Sequence, residues 1–331
     1  MSKDKKRIYW IDYLKGLAIL SVVFLHSFNG YTTDDTITGI ILKYITSFHM
    51  ALFFSISGYL FTKDIKDYKG QIKKKIKTLV VPYAIYGIAV GFLLENIRVI
   101  IRGHEFDLWT TIGKLLTFKI SYLAGWFLIV LFEVYILEYI INYLSTRFKV
   151  KDEYITILHV SMLIIGFLST NISLLDVFKI KLVLISSFFF HLGYIIRKIN
   201  IKTTQAILLT LIGGVVCYIN KVCTYSNFEF GFPILFTISS CCSIIGWINL
   251  IRNVHKNNGG YINKQIISLG EDSIIVLLTH PIYLYAFRMF EKITHMDIHT
   301  FPPYAIFILL IIMELFTIKY IPKVLKKTFG K

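Results

Sequence analysis

Apolar residues run along this chain in long blocks, separated by short polar and basic segments. A helix needs roughly 17 to 25 such residues to cross about 30 Å of hydrocarbon. Blocks of that length fall near residues 11–29, 40–61, 79–95, 122–144, 154–170, 178–196, 204–220, 232–251, 271–289 and 303–321. Stretches such as Leu79 to Leu94 and Ala305 to Phe316 carry few charges and no two-residue alternation. That pattern argues against soluble cores and against a closed membrane barrel. The expected fold is all-α: a polytopic transmembrane helical bundle of about ten spans, forming a single membrane-embedded domain over residues 1–331.

The composition agrees, with 55% hydrophobic and 16% aromatic residues and a mean hydropathy of +0.64, well outside the range of an ordinary soluble domain. A net charge of +16 raises nucleic acid as a partner. The basic residues sit in short runs between apolar blocks, however, where they set topology and meet anionic lipid. No nucleic-acid partner is expected. An even number of spans places both termini on one side, and the segments on that side hold 25 of the 36 Lys and Arg residues against 9 on the other. Both termini are therefore expected in the cytoplasm. The first block follows Lys3, Lys5, Lys6 and Arg7 with no small-residue cleavage site, so it is read as a retained first span. One outer segment is long, Asn96 to Ser121, and reads either as a recognition loop or as an interfacial helix. Cys217, Cys223, Cys241 and Cys242 lack metal-ligand spacing and read as packing residues; no metal is expected.

Against this background the ionisable residues inside spans stand out, because each costs about 2.5 to 3.5 kcal/mol at a helix centre unless it finds a partner, a cavity or a task. The first span carries Asp12, Lys15 and His26. At about 100° and 1.5 Å per residue, Lys15 and His26 share a face and lie about 16 Å apart along the axis. Lys15 then sits near the cytoplasmic mouth and His26 in the outer half, a stripe suited to an elongated ligand with an anionic end. The plainer alternative is a snorkelling Lys15 paired with Asp12, and a His26 that bonds a neighbouring helix. His49 in the second span reaches a depth comparable with His26, while Ser57-Gly58 near that span's inner end permits close backbone approach. Seven lysines follow between Lys63 and Lys77, a run able to hold lipid head groups or the phosphates of a soluble cofactor. Trp126, Glu133, Glu138 and His280-Pro281 complete the set; Glu133 calls for a cationic partner, and Pro281 loosens its helix.

The ordered series of motifs resembles the integral membrane acyltransferase-3 family. It runs from Ile8-Tyr9-Trp10-Ile11-Asp12-Tyr13-Leu14-Lys15 to His26, through His49-Met50-Ala51-Leu52-Phe53-Phe54 and Ser57-Gly58-Tyr59. The basic run before Pro82-Tyr83 comes next, then Trp126-Phe127-Leu128, and finally Leu269-Gly270-Glu271-Asp272-Ser273 leading to His280-Pro281. Lys15 stands where arginine is commoner, which keeps the charge and removes the bidentate fork. Lys73, Lys74, Lys75 and Lys77 stand where the family often shows arginine pairs.

The resemblance implies transfer of an acyl group, usually acetyl from acetyl-CoA, to a hydroxyl of a cell-envelope glycan or its lipid-linked precursor in a bacterial cell membrane. It also implies ten spans. Some members carry an appended extracytoplasmic hydrolase-like domain, for which the residues after the tenth span are too few. On this reading Lys15, Lys73, Lys74 and Lys77 bind the CoA phosphates. His26 is the general base or a transient acyl carrier, and His49 orients it or polarises the thioester. Asp12, Ser57, Trp126, Glu133 and His280 bind substrate or support the site. Two alternatives stay open: a transporter or flippase for envelope saccharides, and a non-catalytic membrane module of the same fold.

Overall fold

A computed structural model describes residues 8–28, 36–63, 65–86, 107, 109, 112–113, 125–255, 259–294 and 302–321. Most of the Asn96 to Ser121 segment, and the outer part of the block at 79–95, lie outside the described residues. Among those described, every regular element is helical, with one isolated bridge between Thr224 and Glu229. The helices are α1 (Tyr9–Ser27), α2 (Ile37–Tyr59), α3 (Tyr68–Lys75), α4 (Gly125–Arg147), α5 (Asp152–Leu168), α6 (Ile180–Ile196), α7 (Thr203–Ile219), α8 (Pro233–Val254), α9 (Tyr261–Glu271), α10 (Ser273–Ile293) and α11 (Pro303–Tyr320). Five of them, α1, α2, α4, α8 and α11, are long and apolar enough to cross a membrane. The pair α9 and α10, bent by 88° at the break between them, makes a sixth if taken as one broken span. The shorter helices α6 and α7 are apolar over 17 residues each.

The chain divides into two compact units. The first comprises Met1–Ile56, Ile195–Tyr225 and Glu229–Tyr320, and α1 is its axis, packed against α8, α9, α10 and α11. Lipid tails are as apolar as leucine, so small residues and short hydrogen bonds hold such helices together rather than burial alone. Around α8 this is plain: the Ser239 hydroxyl donates to the Gly213 carbonyl of α7 at 2.8 Å and the Ser240 hydroxyl to the Ser47 carbonyl of α2 at 2.6 Å. The α1–α9 crossing is closer still. A Cβ on Gly16 would lie 2.1 Å from the Ile266 carbonyl oxygen, and one on Gly270 1.8 Å from that of Asp12. Glycine is what lets the two backbones touch.

The second unit comprises Ser57–Tyr194, Ser226–Phe228 and Ile321–Lys331. Its core is α4, buried from Trp126 to Leu131 and at Val134, with Phe61, Tyr135, Tyr139 and Phe190 in edge or tilted ring contacts. Gly58 sits against the Phe190 backbone, its absent Cβ 1.7 Å from that carbonyl oxygen. Helix α3 is capped by Asp67, which accepts from the Gly70 N–H at 2.8 Å, and it passes into a π-turn over Ile76–Val80.

Candidate active site

Helix α1 carries its polar groups toward the tight crossing. Lys15 Nζ lies 3.5 Å from Asp12 Oδ1, with side chains 27% and 16% exposed. The pair is thus neither lipid-buried nor free in water. It adjoins the Gly16–Ile266 and Asp12–Gly270 approaches, just before the chain breaks at Asp272 between α9 and α10. Nearby, the ring of Tyr13 stacks on His255 at 4.0 Å and 17°. His255 follows α8, and loss of solvent holds its pKa below the ordinary imidazole value.

At the other end of α1, the ring of His26 lies 5.1 Å from that of His280. His280 is fully buried, and its Nδ1–H donates to the Val276 carbonyl at 2.7 Å. A carbonyl only accepts, so Nε2 of the neutral ring carries the lone pair, and that atom has no hydrogen-bond partner among the described residues. Pro281 follows directly and supplies no N–H to the helix. His49, half-buried, uses its Nδ1–H in the same way, on the Ile45 carbonyl at 2.9 Å. His26 lies within electrostatic reach of both rings. Three histidines from α1, α2 and α10 therefore gather, and His280 holds a buried lone pair.

A cavity of about 410 Å³ lies along α1 and α2, lined mainly by apolar side chains such as Leu17, Phe24, Ile41, Phe48 and Phe307, with His49 its only histidine. At about 100° per residue, the lining residues Leu17, Ser21 and Phe24 point roughly opposite to Asp12, Lys15 and His26. The cavity and the polar stripe thus occupy different faces of one helix.

A carboxyl the sequence reading passed over stands beside this cluster. Glu314 of α11 is fully buried, and its two oxygens lie 2.9 and 2.7 Å from the hydroxyl of Thr279, the neighbour of His280. That hydroxyl is also 2.8 Å from the Ile275 carbonyl. One hydroxyl proton cannot serve both directions, and no cation reaches Glu314 among the described residues. A proton on the carboxyl completes the chain from Glu314 to Thr279 to Ile275. The signal was available: Glu314 is the lone carboxylate in an otherwise apolar block, and the rule applied to Glu133 applies to it equally.

The remaining residues singled out from the sequence lie in the second unit. Lys73, Lys74 and Lys77 are exposed at the α3 end and π-turn, whereas Lys75 lies over the Tyr135 ring at 3.4 Å. π-Turns within helices recur at functional sites. Trp126 is buried against Phe127, and Ser57 is half-buried at the end of α2. Glu133 lies within electrostatic reach of Lys179, and its Oε2 has no hydrogen-bond partner among the described residues.

This arrangement has the parts of a membrane site for transfer chemistry: a cation at one end of α1 beside the bend from α9 to α10, and a histidine cluster at the other. Comparison with curated proteins returned no match, and neither did comparison with solved structures. The family model described as an acyltransferase domain matches residues 8–317, and the chain therefore belongs to the acyltransferase-3 family, a membrane acyltransferase by that membership.

Proposed function

We propose that the chain moves an acetyl group from acetyl-CoA to a hydroxyl of a cell-envelope glycan, or of its lipid-linked precursor, in a bacterial cell membrane. As a working topology we take ten spans in one functional domain, with both termini cytoplasmic. The observation that carries the reading is the histidine cluster of His26, His49 and His280 at the far end of a helix whose near end holds the Asp12–Lys15 pair.

Lys15, with Lys73, Lys74 and Lys77, receives the CoA phosphates, and Asp12 holds Lys15 in place. The sugar hydroxyl gives its proton to His26 while its oxygen bonds to the thioester carbon. The C–S bond breaks, and the CoA thiolate takes up, through water, the proton that the His26 imidazolium then gives back, which returns His26 to its neutral form. The His280 Nε2 lone pair steadies the imidazolium that His26 becomes. His49 cannot donate from Nε2 in its present tautomer, so orienting His26 suits it better than polarising a carbonyl. Ser57, Trp126 and Glu133 support or contact substrate.

The test is transfer of labelled acetyl from acetyl-CoA to glycan in membranes. His26→Ala is expected to lower transfer about 100-fold or more, and Lys15→Ala to raise the KM for acetyl-CoA with a smaller effect on kcat. Full transfer by His26→Ala would refute the mechanism. A labelled enzyme formed without acceptor would instead show His26 carrying the acyl group.

A further inference from the structure

The second unit holds a buried polar cluster that the acyl-transfer reading does not use. His159 of α5 is fully buried; its Nδ1 lies 2.7 Å from the Ile155 carbonyl and its Nε2 2.8 Å from Oε1 of Glu138 on α4. The same Oε1 accepts from the Ser187 hydroxyl of α6 at 3.0 Å. Nδ1 must carry hydrogen, because a carbonyl cannot donate. A second proton must then lie between Nε2 and the carboxyl; otherwise two lone pairs would face each other at 2.8 Å. Whether that proton sits on nitrogen or on oxygen, the pair holds one proton and no net charge, the form a low-dielectric bundle favours.

His191 of α6 stacks on His159 at 4.1 Å and 6°, and its Nε2 lies 3.0 Å from the Thr156 hydroxyl. Thr156 donates to the Asp152 carbonyl at 3.0 Å, so it accepts from His191, which carries hydrogen on Nε2. Two stacked imidazolium rings would repel, so at most one of these two rings is charged. Among the described residues no group of three His, Cys, Asp or Glu side chains has an arrangement that could hold a metal ion.

Glu138 and His191 line a cavity of about 20 Å³ with Lys63, Asn142, Ser145 and Tyr194. That space holds about one water molecule. Asn142 donates to the Lys63 carbonyl at 3.0 Å and to the Tyr68 hydroxyl at 2.9 Å, while its buried Oδ1 has no donor among the described residues. Lys63 continues outward to Asp152 at 2.6 Å, a carboxylate 60% exposed. The ionisable groups around the cavity are therefore His191 and Tyr194 on α6, Lys63 after α2, Asp152 at the start of α5, and Tyr68 at the start of α3.

We infer that Glu138 and His159 form a proton-binding centre, and that their shared proton exchanges with solvent through one water held by Asn142 in the cavity below Lys63. Proton exchange there needs no oxidant or cofactor: the water gives one proton to the pair and takes one from it.

Infrared difference spectroscopy of the full chain in liposomes, shifted from H2O to D2O, tests this. Glu138→Gln is the conservative variant: an amide nitrogen in place of Oε1 can donate to a neutral His159, while the Ser187 hydroxyl keeps Met162 Sδ, 3.7 Å away, as acceptor. The native minus Glu138→Gln spectrum is expected to contain a protonated-carboxyl band, or paired carboxylate and imidazolium bands, shifted by D2O and absent from His159→Gln as well. Exchange of that band should be faster than exchange of the α4 backbone amides, and Asn142→Leu should slow it about tenfold. If both variants keep the native bands, no proton is shared. If the native band exchanges no faster than the α4 amides, or at the native rate in Asn142→Leu, the water route fails.

Discussion

Glu314 and His280 occupy neighbouring helices, and the hydrogen-bond directions around them decide what each can do. His280 has committed its only N–H to a backbone carbonyl, so it offers His26 a lone pair and no donor. Glu314 meets a hydroxyl with a single proton that is shared with Ile275, and neutrality follows from that geometry. Glu314→Gln is therefore expected to keep acyl transfer within about twofold, and stability within about 1 kcal/mol, because an amide N–H replaces the carboxyl proton toward Thr279. Glu314→Ala, which leaves Thr279 without that partner, should cost about 1 to 3 kcal/mol. Transfer rates and thermal unfolding in detergent measure both, and loss of transfer in Glu314→Gln would show that a carboxylate charge is required. Sequence spacing alone brought out Asp12, Lys15, His26, His49 and His280, since an ionisable residue in an apolar block is conspicuous. The same rule covered His159 and His191, each inside an apolar block, but spacing within one block could not show that they stack on each other beside Glu138.

The helices themselves follow the apolar blocks closely: α1, α2, α4, α8 and α11 lie within a few residues of the blocks that predicted them. What the blocks did not contain was the crossing of α1 on α9. Helix α9 has the strongest one-sided pattern of any described helix and fell into a segment read as a connection. Its fit depends on Gly16 and Gly270, where any side chain would strike backbone carbonyls. Gly270→Ala is expected to destabilise the protein by about 1 to 3 kcal/mol or more and to lower transfer, because it pushes α1 and its Asp12–Lys15 pair off α9. Gly214→Ala is the control: its Cβ would meet Tyr44 at an ordinary 3.9 Å. Removing a helical glycine there should stabilise by about 0.5 to 1 kcal/mol. Opposite signs in thermal unfolding would confirm that contact, and not glycine content, matters; equal effects would count against it.

Orientation is a property of the full charge distribution, and the excess of Lys and Arg on one set of connections predicts that both ends of the chain face the cytoplasm. Reporter fusions active on only one side of the membrane, placed at each terminus and between α4 and α5, should all report the cytoplasm. An external α4–α5 connection would overturn the ten-span topology. Hydrophobic block length and charge bias were enough to establish an all-helical membrane protein, because the absence of water in the bilayer leaves the backbone few other choices. The ordered motifs carried the family. Tertiary structure alone decided which polar groups meet: His26 with His280, Glu314 with Thr279, and Glu138 with His159. Those pairs stand 21 to 254 residues apart along the chain. Proton positions depend on distances of a few ångströms, which helical periodicity within one segment does not encode.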